Sequence, residues 1–228
     1  MILDYNRLKE YDGISVVTTT YNEANTIREL VYRIRKTLRN ISHEIIVVDD
    51  SSPDGTYYIA KEFADIAIKK KREGQTKGLF TGISKARYRI VITIDADLEN
   101  PPELIPKLLL KFLDSECDIV VASRTYVPRI SERIASIVLR RFLNVRDIFS
   151  NFRVIDKKCI EYSHLRLGET FGLEILLIAK HRGCKICEYY YDPPPRRSSP
   201  RIGGILKANL RILWAFIKSL IGILVFYH

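Results

Sequence analysis

Three acids at alternate positions, Asp95, Asp97 and Glu99, follow directly on the run Arg89-Ile-Val-Ile-Thr-Ile. A β-branched apolar run this short, cut off by polar residues, predicts a buried strand of a parallel sheet. In open α/β sheets, ligands bind beyond the carboxyl ends of the strands. Positions i and i+2 of an extended chain project to one side, so Asp95 and Asp97 share a side, and Glu99 joins them if the chain stays extended. Carboxylates so close repel unless one is protonated or a cation lies between them. Oxygen-only ligands select a hard divalent ion, Mg2+ or Mn2+, which completes its shell with phosphate oxygens and water. The chemistry open to these residues is to hold a metal and, through it, a diphosphate. Capping the next helix is the other use for such acids. That job has its own residues: Asn100 as N-cap, Pro101 at the first helical position and Glu103 closing a box-like start.

Two further apolar runs end in polar clusters, Val16 to Glu23 and Ile45 to Thr56. Three neighbouring strands would bring Glu23, Asp50 and Asp95 to one rim. Carboxylates there can accept from base N–H groups or ribose hydroxyls, and Tyr21 can stack on a base. Ser51, Ser52 and Asp54 read as helix caps. The adjacent acids Asp49 and Asp50 exceed what a cap requires.

Such a rim needs a sheet beneath it. Strands are predicted at Ile14–Thr18, Glu44–Val48, Ile66–Ile68, after Arg89, at Asp118–Ala122, Phe152–Ile155 and Ile186–Tyr191. Helices are predicted at Ala24–Arg39, Thr56–Ala64, Lys77–Arg87, Pro101–Leu113 and Gly172–Arg182, from apolar residues at helical spacing. Alternation of this kind predicts an α/β fold, a mostly parallel sheet with helices on both faces. No Gly-x-Gly occurs, which removes the dinucleotide-binding fingerprint, and the phosphate-loop Gly-Lys-Ser/Thr is missing too. Residues 1–204 read as one domain, with a nucleotide-binding half up to about 122 and an acceptor half from 123. Segment 123–144 is rich in arginine, and its helix carries an apolar stripe of Ile130, Ile134, Ile137, Val138 and Phe142.

With 228 residues and 46% hydrophobic content, the chain can bury one substantial core. Its formal charge of +10 points to an anionic partner: nucleic acid, anionic lipid or a sugar nucleotide. The basic residues accompany an apolar tail rather than a nucleic-acid reader motif, which disfavours nucleic acid. Four cysteines, with a lone Cys184-Lys-Ile-Cys187, suit neither a disulfide scaffold nor a zinc ribbon. They read as free thiols in a reducing compartment. Glutamine occurs once, at Gln75, in a chain rich in Lys, Arg, Glu and Tyr, a composition of thermophilic proteins. The last segment, 205–228, is apolar but carries Lys207, Arg211 and Lys218 within roughly 40° of one another on a helix. Each of the central two would cost about 2.5–3.5 kcal/mol at a bilayer centre. An amphipathic helix lying in a membrane interface is the expectation, with packing on the domain or on a second copy, and a true span, as the alternatives. The chain is then expected at the cytoplasmic face of a membrane, bound peripherally.

Thr20-Tyr21-Asn22-Glu23-Ala24, Val47-Val48-Asp49-Asp50-Ser51-Ser52-Pro53-Asp54-Gly55-Thr56 and Asp95-Ala96-Asp97-Leu98-Glu99-Asn100-Pro101-Pro102 together resemble family 2 glycosyltransferases. Within them the chain is most similar to the dolichol-phosphate mannosyltransferases, through Ser123-Arg124, Arg129-Ile130-Ser131, Asp147 with Ser150, and the Phe171 to Leu176 helix start. The resemblance implies a GT-A fold, a GDP-mannose donor and a dolichyl or other polyprenyl phosphate acceptor. It implies that Tyr21, Glu23, Val48 and Asp50 line the guanosine, and that Asp95, Ala96, Asp97 and Glu99 line metal and diphosphate. Arg124 would hold phosphate at the reacting centre, Arg129 and Ser131 would meet the lipid phosphate, and Arg196, Arg197 and Arg201 would supply the late basic pair. Thr19 stands where the family has proline, Glu99 where it often has glutamine, and Asn151 where it has glycine.

A sugar leaves a diphosphate when the growing charge is neutralised, which a dication and Arg124 would do. A phosphate acceptor is already anionic, so no strong base is required, and His43, His164, His181 and His228 all lie outside the strand-end motifs. A hydroxyl acceptor would need a carboxylate base, for which Asp147, Glu169 and Glu174 are the candidates. A pyrophosphorylase would carry a Gly-rich loop after the first strand, where this chain has Thr-Thr-Tyr-Asn-Glu. The non-enzymatic alternative is a basic membrane-binding module.

Overall fold

The computed structural model describes residues 11–126, 130–194 and 204–226. Seven strands form one sheet: β1 (Ile14–Thr20), β2 (His43–Asp49), β3 (Ile66–Lys69), β4 (Ile90–Thr93), β5 (Ile119–Arg124), β6 (Arg153–Asp156) and β7 (Ile186–Tyr191), in the order β3-β2-β1-β4-β6-β5-β7. All pairs are parallel except those of β6, which runs antiparallel to β4 and β5. That reversal puts the first residue of β6, Arg153, opposite Thr93 and Val121, near the carboxyl ends of its neighbours.

Helices α1 (Ile27–Thr37), α2 (Thr56–Phe63), α3 (Gln75–Lys85), α4 (Ile105–Asp114), α5 (Ile130–Leu143), α6 (Leu173–His181) and α7 (Gly204–Phe226) cover the sheet. Alternation along β1 divides the core. Val16 joins Leu30, Ile34 and Leu108 on one face; Val17 joins Leu79, Ile83 and Leu139 on the other. Helix α3 lies close on β1 because position 82 is glycine: a Cβ there would stand 2.3 Å from Val17 Cγ1.

Several expectations need correction. Asn100 does not cap a helix; Pro101 stays extended, a 3-10 turn covers Pro102–Leu104, and α4 begins at Ile105. The apolar stripe on α5 splits: Ile134, Ile137 and Val138 are exposed and Phe142 packs partly on the core, while Ala135, Leu139 and Leu143 are the buried side. Core-facing and outward-facing apolar stripes have the same period, so spacing alone could not separate them.

The cysteines are paired, not free: Cys117 with Cys187 and Cys159 with Cys184. Cys187, in β7, packs with the core face of Val16, whereas Cys184, in the segment just before β7, packs with the face of Val17. One disulfide therefore fastens β7 on each side of the sheet, at the rim away from Asp95. The inference of a reducing compartment from free thiols falls with this pairing.

Helix α7 packs on α5 and α6, burying Ile212, Ala215, Phe216 and Ser219. Its outer side exposes Leu210, Leu213, Trp214, Ile221, Leu224 and Val225. Among the described residues, no helix is long and apolar enough to cross a membrane.

Candidate active site

Strand β4 stops at Thr93, and Ile94 still donates to Val17 O at 3.1 Å. Beyond it the chain turns rather than continuing extended. Leu98 takes a φ of 62°, and the Asp97 carboxylate accepts from Glu99 N at 3.0 Å. A turn closed by an Asp side chain, not strand alternation, thus brings the three acids to one place on the rim. All three line one cavity with Asn100, Arg124, Tyr126, Phe149, Ser150, Pro193 and Pro194.

Burial, then the neighbouring charge of Asp97, pushes the Asp95 carboxyl up to about 7, against the pull of Arg124 and Arg153. Its oxygens accept from Gln75 Nε2 at 2.7 Å and Asn100 Nδ2 at 3.2 Å. Ser150 Oγ is buried on the same wall without a hydrogen-bond partner. Three carboxylates and an orphaned hydroxyl around one cavity are oxygen donors only. That set has the donor chemistry for a hard divalent ion with phosphate oxygens, and Asp95, Asp97 and Glu99 are the candidates to hold it, although their oxygens are not all gathered within 4.8 Å of one another.

Arg124 ends β5. Its guanidinium grips Asp147 at 2.6 and 2.9 Å and reaches Glu132 at 3.2 Å. Burial works against its charge, but the Asp147 hydrogen bond and the two acids hold its pKa above the ordinary arginine value. It stands fixed and charged on the cavity wall.

On the other side of the rim, Asp49 and Asp50 divide their work. Asp49 is fully buried and accepts from Thr20 Oγ1 and Ser52. Asp50 accepts from Lys70 Nζ and from the N–H groups of Glu73 and Gly74, both at 2.9 Å. The Arg72 guanidinium lies 3.8 Å from the Tyr21 ring centre, on the ring expected to receive a base. Glu23 is nearly buried and accepts from Thr26 Oγ1 at 2.6 Å. Val48 points into the core against α3, so only its backbone is open to a ligand, and Ala96 is also buried.

Ser131 Oγ donates to Asn209 on α7 at 2.7 Å, which ties two helices together. Arg129, Arg196, Arg197 and Arg201 lie outside the described residues. A second cavity shares Arg124 and Tyr126 with the first and is lined by Arg133, Ser136, Ile137, Arg140 and Arg146. Ser136 Oγ is buried there without a partner. Sequence reasoning named none of these three arginines as site residues, nor Lys70, Arg72, Gln75 or Tyr191. For Lys70 and Arg72 a signal was present: the basic run Lys69 to Arg72 follows the end of a strand, like the other rim clusters.

Residues 15–167 match the model of glycosyl transferase family 2. A dolichol-phosphate mannosyltransferase of Pyrococcus furiosus is 28% identical over 90% of this chain, which spans 64% of that relative's length. An uncharacterized protein of Methanocaldococcus jannaschii is 31% identical over 78% of this chain and 86% of its own. Among solved structures, glucosyl-3-phosphoglycerate synthase from Mycobacterium tuberculosis, in complex with Mn2+, UDP and glucosyl-3-phosphoglycerate, superposes with a TM-score of 0.76. It has 21% identity, and 94% of this chain and 81% of that one are covered. Mannosyl-3-phosphoglycerate synthase from Rubrobacter xylanophilus gives 0.73 at 18% identity, covering 94% and 75%. The fold is therefore GT-A-like, as the first-strand and acid motifs implied. With an acid-lined sheet rim, a half-buried arginine facing it and a family match over most of its length, the chain belongs to glycosyl transferase family 2.

Proposed function

We propose that the chain transfers mannose from GDP-mannose to a dolichyl or other polyprenyl phosphate at a membrane surface, with inversion, to give a β-mannosyl phosphate lipid. The observation that carries this reading is the commitment of every candidate base. Asp147 is held by Arg124. Glu169 accepts from Thr76 Oγ1 at 2.8 Å and Phe171 N at 2.5 Å. Glu174 is fully buried and accepts from the N–H groups of Arg166 and Leu167. A hydroxyl acceptor needs a base to remove its proton, whereas a phosphate monoester arrives charged.

Asp95, Asp97 and Glu99 would hold Mg2+ or Mn2+, which when bound supplies Lewis-acid neutralisation of the leaving diphosphate. Arg124 adds fixed positive charge at the same wall, and its two acid partners keep its head from swinging away. The acceptor phosphate would approach from the arginine side, where Arg133, Arg140, Arg146 and the Ser136 hydroxyl offset the repulsion between two anions. On the donor side, Tyr21, Glu23, Asp50 and the Val48 backbone would receive the guanosine. The base must then displace Arg72 from Tyr21 or stack on the guanidinium itself.

The exposed apolar residues of α5 and α7, mixed with Arg133, Arg140, Arg141 and Arg211, support peripheral binding to an anionic membrane. A second copy of this chain is the alternative cover for that surface. We place the reaction on the cytoplasmic face; the two disulfides fit that compartment if the thermophile-like composition reflects a hyperthermophilic source, whose intracellular proteins are disulfide-rich.

A second reading keeps the chemistry and changes the donor to a uridine nucleotide such as UDP-glucose, favoured by the UDP present in the mycobacterial neighbour. Incubation with radiolabelled GDP-mannose or UDP-glucose, with polyprenyl phosphate or free glycans, and with or without Mn2+, separates these readings. Metal-dependent label in lipid from GDP-mannose is expected. Label only in glycans would overturn the acceptor, and label only from UDP-glucose would overturn the donor.

A further inference from the structure

Asp95 is held from two sides by side chains from distant parts of the chain. Gln75, at the start of α3, donates to one carboxylate oxygen at 2.7 Å, and Asn100 donates to the other at 3.2 Å. Asn100 is in turn fixed by Tyr191, whose hydroxyl donates to Asn100 Oδ1. Asn100 and Tyr191 are both buried. An amide can face Asp95 with either end; turning its oxygen toward a carboxylate would set two acceptors against each other. A hydroxyl donor on Oδ1 selects the orientation that presents the NH2 group. Burial raises the Tyr191 pKa above the ordinary tyrosine value, so the hydroxyl keeps its proton.

Both arms of this clamp are anchored away from Asp95. The loop carrying Gln75 hangs on Asp50 through Glu73 N and Gly74 N, and on Glu169 through Thr76. Tyr191 is the last residue of β7; its carbonyl accepts from Thr125 N at 3.0 Å, and Pro193 and Pro194 beyond it line the cavity. A carboxylate oxygen has two lone pairs, so each oxygen of Asp95 that accepts an amide N–H can still face a cation.

We propose that Gln75, Asn100 and Tyr191 are positioning residues that lock the Asp95 carboxylate in one orientation toward the metal–diphosphate, and that Tyr191 links this lock to the strand leading into the acceptor side. The inference rests on the metal–diphosphate reading of the cavity. Partners that orient a metal ligand are typically worth about 10- to 100-fold in metal affinity.

The test is Mn2+ binding followed by electron paramagnetic resonance, with GDP or UDP present, on the intact protein and on Gln75→Leu, Gln75→Glu and Tyr191→Phe, with a melting curve for each. Tyr191→Phe keeps the ring and its packing and removes only the hydroxyl. Weaker Mn2+ binding is expected in all three, by about tenfold or more for the Gln75 variants, with the Tyr191→Phe melting temperature close to wild type. Gln75→Glu, nearly isosteric but acidic, should bind no better than Gln75→Leu; a merely space-filling Gln75 predicts that the added charge leaves Mn2+ affinity at or above the wild-type level. Wild-type binding with unchanged affinity in Gln75→Leu and Tyr191→Phe would overturn the clamp alone. No Mn2+ bound by the wild-type protein with either nucleotide would overturn the metal–diphosphate reading and the clamp with it.

Discussion

The guanidinium of Arg153, which has no exposed surface, donates to the Gly172 carbonyl at 2.8 Å. It also donates to the carbonyls of Ser150 at 2.7 Å and Ile148 at 3.2 Å. One side chain of β6 therefore fastens the loop that bears Phe149 and Ser150 to the turn before α6. Gly172 sits at a φ of 79°, and a Cβ there would lie 2.0 Å from Asn151 Oδ1, so the turn needs glycine. Burial lowers the Arg153 pKa to about 10, with Asp95 and Asp147 pulling the other way. Arg153→Met would leave three carbonyls without this donor and remove positive charge near Asp95. Each unsatisfied buried group costs about 1–3 kcal/mol, so a loss of about 3 kcal/mol or more is expected in urea unfolding. Arg153→Lys should fall between, since a single ammonium cannot reach in the three directions of the fork.

Glu99 supplies a third carboxylate to a cavity that would otherwise have two. Glu99→Gln keeps the size and removes one charge. Affinity for Mn2+ in the presence of nucleotide should fall, while turnover at saturating Mn2+ should recover most of its wild-type value. Asp97→Asn should not recover in that way, and a loss of about 100-fold or more is expected from the role of electrostatic stabilisation in such reactions. Titrating Mn2+ in a mannose-transfer assay distinguishes the two; parallel curves for both variants would argue against unequal roles.

Much of this architecture is legible in residue order. The β-branched runs before Thr20, Asp49 and Asp95 announce strands, and the acids after them announce a rim. The direction of β6 is not legible, because Arg153-Val-Ile-Asp has the same apolar content whether it pairs parallel or antiparallel. Disulfide pairing is hidden for a related reason: the partners of Cys184 and Cys187 depend on which face of the sheet each meets. At the site, Asp95, Asp97 and Glu99 stand out because they are close in sequence. Gln75, Asn100 and Tyr191 do not, since only folding brings positions 75 and 191 to the acids.

The raised Asp95 pKa has a definite sign in stability. Its folded value of about 7 lies above the ordinary carboxylate value, so between the two the folded protein binds more protons than the unfolded chain. Stability without metal therefore falls as pH rises toward 7, and this contribution is fully lost above it. A divalent ion binds the ionised carboxylate, so the rise in melting temperature produced by MnCl2 with GDP should be larger at pH 8 than at pH 6. Equal shifts at the two pH values would show that Asp95 does not titrate in this window.

The disulfides should be detectable directly. Iodoacetamide should leave the mass of the denatured, unreduced protein unchanged and add four carbamidomethyl groups after reduction, one for each cysteine. Because Cys117–Cys187 closes 70 residues and Cys159–Cys184 closes 25, reduction should lower stability by about 2–4 kcal/mol per bond. The bonds lie at the rim opposite Asp95, so Mn2+ affinity below the melting transition should change little. Modification of the native, unreduced cysteines would contradict the pairing.

Helices α5 and α7 together present the outward apolar surface, so membrane binding should need both. Deleting 205–228 is a poor test, since Phe216 and Ser219 are buried and their loss would open the core. Ile137 is 73% exposed and Leu224 is 72% exposed, so acidic substitutions there should leave the fold intact. Burying such a side chain contributes about 1.5–3 kcal/mol, and an added acid also repels anionic lipid. Ile137→Glu and Leu224→Glu should each weaken sedimentation with phosphatidylglycerol vesicles by about tenfold or more, and the double variant further still. Their nucleotide affinity should stay at the wild-type level, because neither residue lines the acid cavity. If the surface instead pairs two copies of the chain, the same variants would convert a dimer to a monomer in sedimentation velocity without altering vesicle binding.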